Sequence, residues 1–247
     1  MTFAAAWNQA GGLRYHARAL RRRTTAWGEF RSSLATWLDD WQPASRSLAL
    51  VGPSGGYCLP VPWLARFERL IVFEPDPLAR WILARRLTRE LHREPFITWI
   101  RVDLWIDPLL RGGCVPDALL RDDTALLFSN FVGQLPFLVE PERWPQFLAA
   151  WREHVWPLLE RTPWASFHDR VSGAERPQLS DSVPSGRLDD PQVTQLYEAA
   201  AAGRTIELLD HCSSELLPEG ASYKYLDWPL TADTHHLIEC VIGRERA

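Results

Sequence analysis

The sequence predicts an α/β domain built on a mostly parallel sheet with helices on both faces. Three observations carry that expectation. Short apolar runs alternate with longer segments of helical periodicity, the pattern of strands joined by crossover helices. The first run empties into Gly52-Pro53-Ser54-Gly55-Gly56, a strand entering a glycine-rich turn. The tail changes to β-like segments with little helix between them, which predicts an antiparallel hairpin at the sheet's edge.

Taken in order, Leu13 to Trp27 is rich in Arg and Ala, and Phe30 to Trp41 repeats apolar residues at Phe30, Leu34, Trp37, Leu38 and Trp41. Both read as helices, making residues 1–45 an N-terminal helical cap ahead of a domain at 46–247. Ser47 to Val51 is the first strand and Leu70 to Phe73 the second, closed by Glu74-Pro75-Asp76-Pro77. Pro77 suits a first helical position with Asp76 as its N-cap. The following helix, Leu78 to Leu91, offers Leu78, Trp81, Ile82 and Leu91 for its buried face.

Phe96 to Leu104 reads as a third strand and Ala125 to Phe128 as a fourth, apolar throughout as for a strand covered on both faces. Glu142 to Leu159 is a helix with Phe147, Leu148, Trp151, Val155 and Leu158 inward. Trp164 to Phe167 is a fifth strand, followed by His168-Asp169-Arg170. Ser172 to Asp190, polar and broken by Pro and Gly, reads as an excursion or lid. A helix from Pro191 to Ala202 ends with Gly203 in C-cap position. Thr205–Leu209, Tyr223–Trp228 and His235–Ile242 are the β-like segments of the tail.

Composition bounds the function. With 247 residues, 46% hydrophobic and 23% charged, the chain suits one large α/β domain, two small ones being the alternative. A net charge of −4 gives no basic field for nucleic acid. Arg14, Arg18 and Arg21-Arg22-Arg23 form one basic helix segment, read as a solvated face. Lys224 is the only lysine, a bias toward arginine that points to a GC-rich, bacterial coding genome. Cys58, Cys114, Cys212 and Cys240 are too scattered for a Cys-x-x-Cys site, which predicts buried, reduced thiols and a cytoplasmic protein. No signal peptide is recognisable, and the apolar run Thr124–Val139 is interrupted by Ser129, Asn130, Gly133 and Gln134, so no membrane span is expected.

The chemistry concentrates at two strand ends. Glycine lets backbone approach a ligand where a Cβ would collide. Glu74 ends the next strand, 22 positions after Gly52, where a carboxylate can accept both hydroxyl protons of a ribose. The alternative is a tight turn beside a solvated carboxylate. A dinucleotide loop needs Gly-x-Gly-x-x-Gly, and counting from Gly52 its second and third glycines are Ser54 and Tyr57, so NAD would need Gly55-Gly56 to substitute.

Leu48 to Gly56, Leu70 to Asp76, Val102-Asp103-Leu104 and Leu127-Phe128-Ser129-Asn130 together resemble the class I S-adenosylmethionine-dependent methyltransferases. The likeness runs from about Ser47 to about Arg170. It implies a Rossmann-like methyltransferase fold, a seven-stranded, mostly parallel sheet with an antiparallel terminal hairpin, and S-adenosylmethionine as cofactor. It also implies cofactor contacts from Gly52, Pro53, Ser54, Gly55, Gly56, Glu74, Pro75, Asp76, Asp103, Leu104, Ser129 and Asn130. Gly52, Ser54 and Gly56 would line the methionine part, Glu74 the ribose, Asp103 and Leu104 the adenine, and Ser129 and Asn130 the sulfonium. The family's acidic residue before the first glycine is Leu50 here, and its middle glycine is Ser54. Those departures leave a catalytically lapsed methyltransferase-like protein, acting as a binding or assembly partner, as the alternative.

An oxygen or nitrogen acceptor can need a base. Asn130, His168 and Asp169 are the catalytic candidates, with Asp210-His211 behind them. Adjacent strand residues face opposite ways, so His235 and His236 cannot share an ion, and no metal site is expected. The expected acceptor is a small molecule or a protein, without identity; the sequence leaves the oligomeric state open.

Overall fold

A computed structural model describes residues 12–91, 96–115, 123–179, 186–201 and 205–243. Gly203 and residues 180–185 of the expected excursion lie outside them.

Five strands form the parallel part of the sheet: β1 (Ser47–Val51), β2 (Arg69–Phe73), β3 (Phe96–Ile100), β4 (Thr124–Ser129) and β5 (Trp164–Gly173). The short β6 (Leu208–Asp210) pairs with the far end of β5, and β7 (Ser222–Pro229) and β8 (His235–Ile242) close the chain. The order is β3-β2-β1-β4-β5-β8-β7, with β8 antiparallel to both β5 and β7. This is a Rossmann-like sheet whose terminal hairpin is antiparallel, as expected. The eighth strand beyond the expected seven is β6.

Eight helices are described: α1 (Leu13–Arg22), α2 (Gly28–Asp40), α3 (Val61–Leu64), α4 (Pro77–Glu90), α5 (Asp107–Leu110), α6 (Leu135–Leu138), α7 (Trp144–Arg161) and α8 (Asp190–Ala201). They divide between the two faces because β1 and β4 are apolar on both sides. Leu48, Leu50, Ala125 and Leu127 join Phe30, Leu34 and Leu83 in one core, while Ala49, Val51, Leu126 and Phe128 join Phe147, Trp151 and Val155 in the other. Every residue of β1 and β4 is buried, the signature of strands sandwiched between helical layers.

The N-terminal helices share the first core. Trp27 meets the ring of Trp228 edge-on at 5.0 Å and Phe30 stacks on it at 5.2 Å, so residues of the expected cap complete the sheet's own core. In α4, Asp76 is the N-cap, its Oδ1 accepting the Leu78 N–H at 2.8 Å, with Pro77 at the first position.

Several expectations are corrected. Trp81 is not in the core: it is 59% exposed, with the Arg85 guanidinium over its ring, because the inward stripe of α4 runs through Ala79, Ile82, Leu83, Arg86 and Leu87. The third strand stops at Ile100 rather than Leu104, since Asp103 turns the chain. The fifth strand continues to Gly173, so His168, Asp169 and Arg170 lie within it and the excursion starts later. Cys58 and Cys240 are buried, but Cys114 and Cys212 are exposed; all four are free thiols.

Candidate active site

In an open parallel sheet, ligands bind at the carboxyl ends of the strands, where the order reverses. Here the reversal falls between β1 and β4. The loop after β1 and the turn after β4 stand on either side of that crevice.

The loop after β1 places every second residue in left-handed backbone: Gly52 at φ 67°, Ser54 at 50° and Gly56 at 64°. Glycine takes these angles without penalty, whereas serine does so at a cost of roughly 1–2 kcal/mol. Ser54 therefore occupies a position whose backbone suits glycine. The remaining side of the loop is packed against protein. A Cβ at Gly55 would lie 2.7 Å from the Tyr57 ring, one at Gly56 2.6 Å from Leu83, and one at Gly52 3.1 Å from Phe131. Close packing by this chain's own side chains thus accounts for the bare backbone. Pro53 is buried within the same loop.

Glu74, at the tip of β2, turns onto that loop. Its Oε2 accepts the Ser54 N–H at 2.8 Å and its Oε1 the Asp76 N–H at 3.0 Å. The side chain is buried, and burial pushes its carboxyl up to about 7, the two N–H bonds opposing only part of the effect. Two of its roughly four acceptor positions remain. Pro75, next along, is exposed.

A helix covers this corner. His16 of α1 bridges Tyr57 Oη at 2.8 Å and Asp76 Oδ2 at 3.1 Å, and is itself 3% exposed. Its neighbour Tyr15 sits edge-on to Tyr57; burial, then the neighbouring Cys58 and Tyr57 and after them Asp169 and Glu74, hold its hydroxyl well above the ordinary value. Sequence reasoning overlooked Tyr15 and His16, for which nothing but their place on a predicted cap helix was a signal.

Asp103 stands apart from the glycine loop's network. Oδ1 accepts the N–H groups of Trp105 and Ile106 and Oδ2 that of Asp107, which fixes the turn into α5. Leu104 packs against the second core, and Trp105 is wedged edge-on between Phe73 and Phe128.

On the other side of the crevice, Ser129 is buried at the end of β4 and Asn130 follows it at φ 54°. Asn130 Nδ2 donates to Asp169 Oδ2 at 3.2 Å, and the Asp169 N–H donates to Asn130 Oδ1 at 3.0 Å. Gln134 Nε2 donates to the same Oδ2 at 2.6 Å. Burial alone would raise the Asp169 carboxyl, but His236, His211 and Asn130 outweigh it and hold the group below the usual carboxylate range.

His168 and Asp169 do not act together. Successive strand residues project to opposite faces, and the extended β5 sends Asp169 to the crevice while His168 faces Glu239 at 3.7 Å and hydrogen-bonds Ser166 at 2.9 Å. His168 is 0% exposed, and burial drops its imidazole to about 3, so it stays neutral inside the second layer. His235 and His236 part likewise, His235 to Asp227 at 2.8 Å and His236 to Asp169 at 3.2 Å. Asp210 is drawn to Arg170 at 2.7 Å. His211, however, joins His236 across Ser172, at 2.6 and 2.7 Å from its Oγ. Side chains from β5, β8 and the turn after β6 therefore converge, a meeting invisible in a sequence where they lie tens of positions apart.

Among solved structures, the fold is similar to the N-methyltransferase NodS from Bradyrhizobium japonicum WM9 in complex with S-adenosyl-l-homocysteine, at 14% identity over 88% of this chain and 87% of that one, with a TM-score of 0.44. It is also similar to magnesium protoporphyrin IX methyltransferase from Synechocystis PCC 6803 with bound SAM, at 8% identity over 99% and 92% of the chains and a TM-score of 0.40. No protein-family model matches the sequence, nor does any curated protein.

Proposed function

We propose that the crevice between β1 and β4 binds S-adenosylmethionine and that the chain transfers its methyl group to a small-molecule or protein acceptor. One observation supports this above others. At the point where strand order reverses, the buried Glu74 carboxylate reaches across from β2 to the left-handed loop after β1 and keeps acceptor positions for two ribose hydroxyls.

The cofactor supplies an already activated methyl on its sulfonium. What remains for the chain is to hold donor and acceptor close and in line, which alone accounts for much of the acceleration. Glu74 would fix the ribose and the Gly52–Gly56 loop the methionine end, with Pro75 and Asp76 beside them. Ser129 and Asn130 would border the sulfonium. Asp169, ionised and locked to Asn130, would position that asparagine beside the acceptor; a carboxylate held below its usual range is a weak base for taking a proton. Residues 1–45 would act as a cap through Tyr15 and His16. The free thiols suit a cytoplasmic protein, and the net charge of −4 disfavours a nucleic-acid acceptor.

Specific observations also favour a second reading, a lapsed methyltransferase-like partner. Asp103 spends its carboxylate on three backbone N–H groups, and the Cβ directions at Gly52, Gly55 and Gly56 meet protein. Calorimetric titration with S-adenosylhomocysteine separates the readings. Micromolar binding that weakens by about tenfold or more in Glu74→Ala, the loss expected for charge-assisted hydrogen bonds, supports the first. Absence of binding sinks it in favour of the second, and preferential binding of NAD sinks both.

A further inference from the structure

We propose that Asp169, His211 and His236 form a binding site for one divalent transition-metal cation of the zinc type. Their ligand atoms lie within 4.8 Å of one another, and the three residues are 1%, 4% and 8% exposed. Metal–ligand bonds of about 2.0–2.2 Å place tetrahedral ligands roughly 3.3–3.6 Å apart, so closure around an ion needs only a small contraction. Asp169 Oδ1 and His236 Nδ1 already stand at 3.2 Å.

Orientation argues more strongly than distance. A ligating histidine is ordinarily held from behind by a hydrogen bond from its other nitrogen, and a ligating carboxylate through its other oxygen. His211 and Asp169 have that support, whereas Nε2 of His236 is buried without a hydrogen-bond partner. His211 Nδ1–H donates to the Gly133 carbonyl at 2.8 Å, so its Nε2 carries the lone pair that faces inward. Asp169 Oδ2 is held by Gln134 and Asn130, which leaves Oδ1 turned toward the imidazoles. Gly133 is itself required there, because a Cβ would come within 2.5 Å of the Asp169 carbonyl oxygen. Ser172 Oγ lies between the two imidazole nitrogens and would be displaced or become a fourth ligand.

The donor set selects the ion. Two imidazoles and one carboxylate suit Zn²⁺, Co²⁺ or Fe²⁺, whereas Mg²⁺ and Ca²⁺ favour oxygen ligands. The carboxylate supplies negative charge that offsets the cost of burying such an ion. The site stands on its own residues whether or not the crevice binds an adenosyl cofactor. Its place beside the acceptor, through the Asn130–Asp169 pair, rests on the function proposed above.

Direct metal titration of the full chain, stripped with a chelator and without any nucleoside present, provides the test. Co²⁺ should bind one per chain with visible d–d bands of a low-coordinate site, be displaced by Zn²⁺, and raise the melting temperature. Asp169→Asn and His211→Ala should abolish the bands. Gln134→Ala, which removes only an outer support, should stay folded and bind 10- to 100-fold more weakly. His154→Ala, on α7, should bind as the wild type does. Failure of the wild-type chain to take up Co²⁺, or uptake equal in the Asp169, His211 and Gln134 variants, overturns the proposal and leaves a hydrogen-bonded chain of histidines.

Discussion

Asn130 and Asp169, 39 positions apart, grip each other through two hydrogen bonds that run in opposite directions, side chain to side chain at 3.2 Å and backbone N–H to side chain at 3.0 Å. The pair ties the tip of β4 to the middle of β5 on the β4 side of the crevice. It also holds Asn130 in left-handed backbone, which asparagine tolerates better than most residues.

Asn130→Ala should lose both bonds and place a less tolerant residue at φ 54°. The expected destabilisation is about 3 kcal/mol, or roughly 6–12 °C in melting temperature. Asn130→Gly removes the same bonds without the backbone penalty and should recover about 1 kcal/mol relative to alanine. Equal melting temperatures for the two variants would show that the backbone angle contributes nothing.

Ser54→Gly should stabilise the chain. The serine sits at φ 50°, and its N–H to Glu74 survives the change. Relief of left-handed strain outweighs the extra chain entropy of glycine by about 0.5–1 kcal/mol. Urea midpoints of the two proteins measure the difference, and a loss of stability would mean that the hydroxyl is needed.

Glu74 makes the empty protein's stability depend on pH with a definite sign. Its carboxyl titrates near 4.5 unfolded and about 7 folded, raised by burial. Between those values the unfolded chain binds fewer protons, so stability should fall by roughly 3 kcal/mol as pH rises from about 4.5 to about 7, and then level off. Glu74→Gln should remove that slope in a series of denaturant titrations. Affinity for S-adenosylhomocysteine should move the opposite way, strengthening as pH passes 7, because the ribose hydroxyls donate to the ionised form.

His16 fastens α1 over the crevice. His16→Phe breaks its bonds to Tyr57 and Asp76 and should cost about 1–3 kcal/mol, expressed first as faster amide exchange in α1. Tyr57→Phe removes only one of the two bonds and should show a smaller effect. Unchanged exchange in both variants would mean that apolar packing alone retains the helix.

Much of the architecture was legible from residue order. The short apolar runs at Ser47–Val51 and Ala125–Phe128 read as strands, the second as one covered on both faces, and the structure buries both throughout. Asp76-Pro77 announced a helix start, and Gly52–Gly56 a turn between β1 and the next helix. Spacing made Glu74 a candidate partner of that turn, and the structure turns its carboxylate onto the loop. Trp81 was misread because a large apolar side chain next to the inward stripe of α4 looks the same in sequence as one on it.

The crevice's chemistry was settled by the third dimension. Where β5 ends depends on its pairing with β6 and β8, and extending it by six residues beyond Phe167 turned His168 away from Asp169. Likewise His211 and His236 reach Asp169 only because an antiparallel hairpin returns the tail to β5. Local pattern fixes which side of an element is apolar, since that depends on neighbours three or four positions away. Which polar groups meet depends on strand register between distant segments, and a list of residues carries no record of it.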